Sequence, residues 1–526
     1  MGAYEEDDYR DGKPEMVTFF GGYFYINMSC VRFQAVRNPA ISVDQLDLAF
    51  FGDRPDTPLY EPHPKDEKPH LQEKINAHMQ FVLSTSHWPE LEEEKERAAQ
   101  IRADRPDLAS LTDAELVAYL RKLHPYIRDF TTNQMVAATS SGIPPGMLGA
   151  VAEAIGDSTM PMQVLAGLGD VDSAAPSFAL WELSRAIRDD EELSGLFDDG
   201  IDGLLDRLET LDSSNAQQFR DAFQKFLYDY GSRGPNEWEL SAQTWETDPS
   251  IPLRTLDQVR KQPDAKNPQY GADSASEDRQ HVIEEVRSKL AELENDELVG
   301  VFEGALVGAN QMVFRERAKT SLVRVLHESR MAIRELGKRH AESGTVSNPE
   351  HIFMLLDEEL DSFVADPSSY NELLYDRYEN WLKLWHLTPP FFLRDGIIPP
   401  LTEWETSTPT VKSSLTEGAV LAGTAGCPGV VTGRARIVRD PTAPPDLEPG
   451  DIMVAPLTDP AWTPLFLAVD GVVVNVGGQV SHAVIVSREM GIPCVVSVPD
   501  ATEQIQDGAT ITVDGTNGNV TLIRNP

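Results

Sequence analysis

GGQVSHAVIVSREMGIPCVV, residues 477–496, is the stretch that decides how the end of the chain folds. The apolar run GVVVNV before it predicts a buried strand that ends in a turn at Gly477 and Gly478. Ser481 then stands where the N-cap of a helix belongs, and a glycine and a proline close that helix after about ten residues. His482 is therefore predicted to be the first residue of the helix.

A histidine at the start of a helix has specific chemical properties. The positive end of the helix disfavours imidazolium, so the ring stays a neutral nucleophile, and it favours a phosphoryl group attached to that ring. We expect Gly477, Gly478 and Ser481 to frame an incoming phosphate, because glycines let the backbone approach it closely. Two alternatives stay open: a lone histidine near a turn is commonly structural, and a zinc site would need more ligands than the nearby Cys494.

The composition limits the classes of partner. The 526 residues carry a formal net charge of −40 and no basic cluster, so binding to nucleic acid or to an anionic membrane is not expected. No apolar run approaches the ~18–20 residues of a membrane span. The three cysteines are too few and too widely spaced for a disulfide framework or a four-ligand zinc site, which predicts no metal site and a reducing cytoplasm.

Two compositional regions divide the chain. Residues 65–390 have the apolar spacing of helices, and Ser110 or Thr112 is placed to cap one of them. Two stretches inside this region, 138–149 and 230–250, are rich in turn-forming residues and are predicted to be loops. The aromatic-rich sequence ahead of the helices predicts one or two strands.

A proline-rich segment separates the helical region from a different pattern. After it, short strands rich in Val and Ile alternate with glycine turns, which predicts a compact α/β domain. We therefore expect a multidomain α+β protein. It has a helix-rich domain over 1–403, a linker over 404–417 and an α/β domain over 418–526.

Residues 477–496 resemble the signature of the mobile phosphohistidine domain of the phosphoenolpyruvate-utilising enzymes. The shared pattern is Gly-Gly, Ser-His, a small apolar helix, Arg-Glu, Gly-Ile-Pro and an apolar strand, and DGATITVDGTNGNVTL resembles the end of that domain. The resemblance extends over residues 418–526. It implies a swivelling domain in which His482 accepts a phosphoryl group at one site and delivers it at another, a motion that the linker would allow.

The rest of the chain resembles rifampicin phosphotransferases and related dikinases. LTDPAWTPLFLAVDGVVVNVGGQVSH is similar to their sequence, and FYINMS, GSRGPNEWEL, FRERAK and HIFMLLDEEL occur in the order of their middle domain. Those enzymes begin with an ATP-grasp domain, whereas this chain begins where such a domain would have ended and has no GxxxxGK[ST] loop. The resemblance implies that a separate ATP-grasp subunit, which binds ATP and Mg²⁺, phosphorylates His482.

Split systems that this arrangement resembles act on phenolic compounds. The resemblance thus implies a phosphotransferase subunit of a dikinase, in which ATP, a small aromatic hydroxyl acceptor and water give aryl phosphate, AMP and phosphate. Phosphoenolpyruvate synthase has a large barrel after its histidine domain that has no counterpart here, so pyruvate is not the expected acceptor. Two alternatives stay open: a component of a rifamycin-like antibiotic phosphotransferase, and a regulatory phosphocarrier whose helical domain binds a protein.

The acceptor site needs cations for the phosphoryl oxygens and a group that takes the hydroxyl proton. Arg315 and Lys319 share one helix face in FRERAK, a spacing that is also typical of an ordinary solvated helix. Rifampicin phosphotransferases have an Arg and a Lys with this spacing that act with their histidine. The resemblance implies that Arg315 clamps the phosphate and that Lys319 orients the acceptor oxygen or stabilises phenolate.

The loop GSRGPNEWEL supplies two further candidates. Arg233 and Glu237 are predicted as a second phosphate contact and a base, and equally as a structural ion pair that holds the loop. Weaker candidates for the base are four histidines in helical patterns: His124, His327, His340 and His351. Several aromatic side chains are expected either in an apolar acceptor pocket or in the core: Trp181, Trp238, Trp245 and Phe314.

Overall fold

The structure, a computed structural model, describes residues 4–8, 16–38, 42–51, 56–394, 397–406, 415–478 and 481–526. The chain groups into two compact units. Unit 1 is drawn from residues 1–85, 99–129 and 325–410, and unit 2 from residues 86–98, 130–324 and 411–526. The helical region predicted from the sequence contributes to both units.

Helices dominate both units up to residue 384. Within the described ranges, twenty α-helices are present: α1 Met28–Arg37, α2 Val43–Phe51, α3 Gln72–Ser84, α4 Pro89–Ala103, α5 Asp113–Ser140, α6 Ile143–Ile155, α7 Met160–Val164, α8 Ala175–Arg188, α9 Glu191–Asp198, α10 Leu204–Thr210, α11 Ser214–Tyr230, α12 Ser250–Val259, α13 Pro268–Glu292, α14 Asp296–Gly308, α15 Asn310–Glu342, α16 Leu360–Ala365, α17 Asn371–Leu384, α18 Thr463–Phe466, α19 His482–Met490 and α20 Ala501–Gln504.

Strands occur at the start of the chain and towards its end. The described residues form twelve: β1 Val17–Phe20, β2 Tyr23–Ile26, β3 Leu387–Thr388, β4 Glu405–Thr406, β5 Val420–Ala422, β6 Thr424–Cys427, β7 Val430–Ile437, β8 Asp451–Ala455, β9 Gly471–Val474, β10 Cys494–Val496, β11 Thr510–Asp514 and β12 Asn519–Arg524. The antiparallel pair of β1 and β2 confirms the aromatic-rich strands predicted ahead of the helices.

The start of α5 is fixed by a reciprocal cap. The hydroxyl of Thr112 accepts the Glu115 N–H at 3.3 Å, and the Glu115 carboxylate accepts the Thr112 N–H at 2.8 Å. This pairing is a capping box, because each side chain takes up a backbone N–H that the helix leaves unbonded. It confirms the prediction of a cap at this position and assigns it to Thr112.

The prediction of a loop over 138–149 is wrong. Helix α5 continues to Ser140 and α6 begins at Ile143, so these residues are helical except for a short break. Pro144 and Pro145 lie in the first turn of α6, where a backbone N–H has no acceptor within the helix and a proline therefore costs little. The second predicted loop is confirmed, because 231–249 forms turns between α11 and α12.

The C-terminal region is an eight-stranded mixed sheet in the order β5-β12-β11-β7-β8-β9-β10-β6. The four strands from β7 to β10 run parallel, and the remaining strands pair antiparallel with their neighbours. Every residue of β8 is buried because both faces of the sheet are covered, as is usual for parallel strands. A helix-rich region followed by an α/β region confirms the predicted fold class.

The helix-bearing face of the sheet packs on the helices of unit 2. Leu465 and Phe466 of α18 and Val484 of α19 share one buried core with Trp181 of α8 and Val259 of α12. The opposite face is covered by α20 and has a separate core. The start of α19 therefore lies where the sheet domain meets the helical part of unit 2.

The predicted linker over 404–417 lies largely outside the described residues, because 407–414 are not among them. The domain boundaries at its two ends remain predictions. Across the described ranges, no helix is both long enough and apolar enough to cross a membrane.

Candidate functional site

His482 is the first residue of α19, as predicted. Ser481 has the extended backbone of an N-cap, with φ −71° and ψ 158°, and Gly491 closes the helix in the left-handed conformation at φ 67°. The expected side-chain cap is not formed. In the described part of the chain the buried Ser481 hydroxyl has no hydrogen-bond partner, so it is available to a group bound at the helix start.

Two threonines hold the imidazole ring, one at each nitrogen. Thr458 Oγ1 lies 3.0 Å from Nδ1, and Thr463 Oγ1 lies 2.9 Å from Nε2. A neutral imidazole has one donor and one acceptor, and a hydroxyl can rotate to match either. The ring of Phe466 packs edge-to-face with the imidazole, with 6.1 Å between the two ring centres. The two threonines and the phenylalanine together fix the orientation of the imidazole.

Sequence reasoning missed both threonines. They lie in LTDPAWTPLF, whose only signal in the sequence is its family resemblance. Thr458 precedes the histidine by 24 residues and Thr463 by 19. No local spacing predicts this contact, since it depends on how the turn after β8 packs against α19.

The surroundings keep His482 neutral. Burial lowers its pKa well below the ordinary value, and the charges of Lys319, Arg233 and Arg315 lower it further. A neutral ring can act as a nucleophile, and the same three cations would attract a phosphoryl group carried by that ring. The structure thus brings four of the predicted site residues together.

Glu237 is buried between two of these cations. Its carboxylate lies 3.1 Å from Lys319 Nζ and accepts two hydrogen bonds of 3.1 Å from Arg233 Nη1. Burial opposes its ionisation, but Arg233 and Lys319 outweigh that effect and hold the pKa of Glu237 below its ordinary value. A carboxylate held ionised in this way is a weak base, so the geometry favours the structural ion pair over the predicted base.

Arg233 is positioned by the loop that follows α11. Its second amino group donates to Thr320 Oγ1 at 2.6 Å, one residue beyond Lys319 on α15. The next residue is glycine because the two sides of the loop approach closely: a Cβ on Gly234 would lie 2.3 Å from the carbonyl oxygen of Gln243. The loop therefore delivers a buried guanidinium to the side of α15 that carries the lysine.

A second carboxyl group, Asp459, also went unnoticed in the sequence. It accepts the N–H of Asn236 at 2.8 Å and that of Ala461 at 2.9 Å. Burial, with the nearby charge of Glu237, raises the pKa of Asp459 to about 6. Two neighbouring carboxyl groups thus differ in basicity, and the one with the raised pKa is the better placed to exchange a proton near neutral pH.

The remaining predicted residues are distributed as follows. Arg315 lies on α15 with Nε 3.5 Å from Glu316 Oε1, and its charge reaches His482. The backbone at Gly477 packs closely, because a Cβ there would lie 3.0 Å from Ser481 Oγ and 3.2 Å from Val496 Cβ. The carbonyl of Gly478 accepts the Ser481 N–H at 2.9 Å. Residues 479 and 480 lie outside the described part of the chain.

The four histidines considered as bases all belong to unit 1, whereas His482 belongs to unit 2. Three of them have partners there, since His327 pairs with Arg330, His340 with Asp113 and His351 with Ser347. Three of the four aromatic candidates lie in the core: Trp181, Trp245 and Phe314. Trp238 is half-exposed, and Lys319 Nζ lies 5.7 Å from the centre of its ring.

The described residues contain no group of three or more His, Cys, Asp or Glu side chains that could hold a metal ion. None of the three cysteines forms a disulfide, and all three are buried.

Comparison with known proteins identifies two segments. Residues 133–316 match the rifampicin phosphotransferase fourth domain, and residues 447–518 match the mobile domain of PEP-utilising enzymes. The first segment contains Arg233, Glu237 and Arg315 and ends just before Lys319. The second contains His482 with Thr458, Asp459 and Thr463.

Several curated proteins are similar to this chain. A rifampicin phosphotransferase of Streptomyces sviceus is 31% identical over 339 residues, which are 63% of this chain and 37% of that protein. The enzyme of the same name from Bacillus subtilis is 28% identical over 328 residues, 61% of this chain and 36% of that protein. A prodigiosin synthesizing transferase of Serratia marcescens is 30% identical over 326 residues, 57% and 33% of the two chains.

The chain therefore spans about a third of the length of these relatives. By the two matched segments, it carries the mobile domain of the phosphoenolpyruvate-utilising enzymes together with a region of the rifampicin phosphotransferase type.

Proposed function

We propose that this chain is the acceptor-binding and phosphohistidine subunit of an ATP-dependent dikinase. His482 receives a phosphoryl group from a separate ATP-grasp subunit and transfers it to the hydroxyl of a small aromatic compound. One observation carries the proposal: a partly buried, neutral histidine at a helix start lies close enough to Lys319, Arg233 and Arg315 for their charges to lower its pKa. That arrangement suits a nitrogen nucleophile that is loaded with phosphate and then unloaded among cations.

The unloading step balances without a further reactant. The nitrogen–phosphorus bond of phosphohistidine breaks as the acceptor oxygen bonds to phosphorus, and the hydroxyl proton ends on the imidazole. Lys319 holds the acceptor oxygen, while Arg233 and Arg315 stabilise charge on the phosphoryl oxygens. Asp459 follows Thr458, whose hydroxyl lies 3.0 Å from the imidazole, and its pKa of about 6 suits it to relay the proton near neutral pH.

ATP and Mg²⁺ belong to the loading step, which we assign to the partner. The nucleotide supplies the phosphoryl group, and the overall products are aryl phosphate, AMP and phosphate. The support for a separate donor site is the resemblance to split systems, in which the ATP-grasp domain and the phosphohistidine chain are separate polypeptides. An ATP-grasp segment joined to the same polypeptide would supply the same chemistry, and the loading experiment distinguishes the two.

A second candidate is favoured by the comparisons. Two relatives are named rifampicin phosphotransferase, which supports a rifamycin-like acceptor as much as a phenol. A third relative is named for prodigiosin synthesis, so related proteins differ in the compounds on which they act.

The loading experiment measures the intact mass of the purified chain after incubation with ATP and Mg²⁺, with and without an ATP-grasp subunit. We expect one added phosphoryl group on His482 only when the subunit is present, and none on His482→Ala. Stoichiometric phosphorylation without the subunit would contradict a separate donor. The loaded chain is then offered phenols and rifamycins. Transfer only to a rifamycin establishes the second candidate, and no release to any small molecule supports a regulatory phosphocarrier instead.

A further inference from the structure

A cavity of about 460 Å³ lies within unit 2, beside the site of His482. This volume is within the range of small-molecule pockets in proteins. Arg233 and Thr320 line it, and both also belong to the site, since they bond to each other and Arg233 contacts Glu237. The cavity therefore adjoins the group of cations around His482.

The carboxylates around this cavity already have partners. Asp172 contacts Lys95 at 2.9 Å and Arg317 at 3.1 Å, and Asp170 pairs with the same arginine. The Glu489 carboxylate accepts two backbone N–H groups, at 3.1 and 3.2 Å. Asp229, the remaining carboxylate of the wall, contacts Lys225 at 2.6 Å. Each acidic group therefore already pairs with another cation or with backbone N–H groups, and none forms an ion pair with Arg324 in the described part of the chain.

Arg324 is the cation on the wall that lacks such a partner. Among the described residues it has no ion pair, and its guanidinium donates one hydrogen bond, of 3.2 Å, to the carbonyl oxygen of Asp229. Burial, with the nearby charge of Arg233, lowers its pKa, and the charges of Asp172 and Asp229 oppose this only in part. The guanidinium has five N–H donors and uses one of them within the described residues, so the others are available to an anion in the cavity.

The other residues that line the cavity indicate the shape and polarity of that ligand. Tyr230 and Ser232 line the cavity beside Arg233, and within the described ranges neither hydroxyl has a hydrogen-bond partner. Apolar side chains cover another part of the wall: Val171, Ala174, Ala175 and Phe178. A flat apolar body with a polar group at each end would complement this lining.

We propose that this cavity binds the acceptor, and that the acceptor is an aromatic hydroxyl compound with a carboxylate, which Arg324 holds. This inference rests on the proposed function and adds the substrate class. Arginine suits a carboxylate because its planar fork can donate two parallel hydrogen bonds. Anchoring one end of the ring fixes its direction, so that the hydroxyl at the other end is presented to Arg233 and the phosphohistidine.

The test is a calorimetric titration of the whole, unphosphorylated chain with 4-hydroxybenzoate and with phenol. We expect hydroxybenzoate to bind more tightly, and Arg324→Gln to weaken its binding by about 10- to 100-fold, because a charge-assisted hydrogen-bond pair is lost. Binding of phenol should change little in this variant. Arg324→Lys should retain part of the affinity, since the charge remains.

Arg287→Gln is the matched control, because this arginine pairs with Glu303 on an exposed surface. Circular dichroism checks that each variant is folded. Equal binding of the two compounds, no binding of either, or an Arg324→Gln chain that is folded and binds hydroxybenzoate normally would overturn the inference. The titration needs neither ATP nor the partner subunit, so its outcome is independent of whether His482 can be loaded.

Discussion

At the scale of the residue, the reactive group and its contacts differ in how far the sequence reveals them. The motif around His482 predicts its helix-start position, and the family pattern points to Arg315 and Lys319. Thr458 and Thr463, which hold the ring, were not predicted, because contacts between a turn and a helix depend on packing rather than on spacing. Asp459 was missed for the same reason.

Thr463→Val tests the hold on the ring. The change keeps the shape of the side chain but leaves Nε2 of the partly buried imidazole without its 2.9 Å partner. We expect a loss of about 1–3 kcal/mol in the free energy of unfolding. Transfer from the loaded chain should slow by about tenfold or more, because a mobile ring spends less time in line with the acceptor.

Thr432→Val is the control for this substitution, since Thr432 pairs with Thr512 on an exposed part of the sheet. Denaturant unfolding and single-turnover transfer are measured on both variants. Equal effects of the two substitutions would mean that the hydrogen bond to the imidazole adds neither stability nor transfer rate beyond that of a surface threonine pair.

The raised pKa of Asp459 predicts how the free energy of unfolding depends on pH. Its pKa is about 6 in the folded protein against 3.8 for an ordinary Asp, so the folded state binds the proton more tightly. The resulting stabilisation is fully present below the ordinary pKa and is lost as the pH rises through about 6. Between pH 5 and 7.5 the loss amounts to about 1.5 kcal/mol.

Comparison with Asp459→Asn isolates this effect, because His482, whose pKa is lowered, changes stability with pH in the opposite direction. We expect the difference in unfolding free energy, wild type minus variant, to fall by that amount between pH 5 and pH 7.5. A difference that stays constant across this range would show that Asp459 is not protonated preferentially in the folded state.

At the scale of the element, helix α19 and the strands around it were predicted well, because a buried strand, a glycine turn and a short helix each leave a strong local pattern. The α5–α6 region was predicted badly. Its glycines, serines and prolines favour a loop, but Pro144 and Pro145 lie in the first turn of a helix, where a proline breaks no hydrogen bond. Composition alone cannot show whether a proline lies in a loop or in the first turn of a helix.

Gly477→Ala tests the turn before α19. The added methyl would lie 3.0 Å from Ser481 Oγ and 3.2 Å from Val496 Cβ, so we expect a loss of about 1–3 kcal/mol in the free energy of unfolding. Gly149→Ala should have the opposite sign. Gly149 lies in helix α6 with no other atom within 4 Å of the added carbon, so alanine should stabilise by about 0.5–1 kcal/mol.

Chemical denaturation gives the free energy of unfolding of both variants and of the wild type. Two substitutions with the same sign and similar size would contradict the close packing at the turn.

At the scale of the whole molecule, the fold class followed from the change of composition along the chain, whereas the grouping into units did not. Helices α4, α5 and α15 each contribute residues to both units, so no boundary in the sequence marks the division. Grouping of this kind is decided by long-range packing. The site nevertheless assembles within unit 2, from the loop after α11, from α15 and from the sheet domain.

The most direct test of the central claim is a transfer measurement on the loaded chain. The chain is phosphorylated on His482, freed from ATP and from the partner subunit, and mixed with an aromatic hydroxyl acceptor, and the fate of the phosphoryl group is followed by mass spectrometry and ³¹P NMR. We expect one aryl phosphate for each phosphohistidine consumed, and much slower transfer from a loaded Lys319→Met chain. Loss of the phosphoryl group as inorganic phosphate at the same rate with and without the acceptor would contradict it.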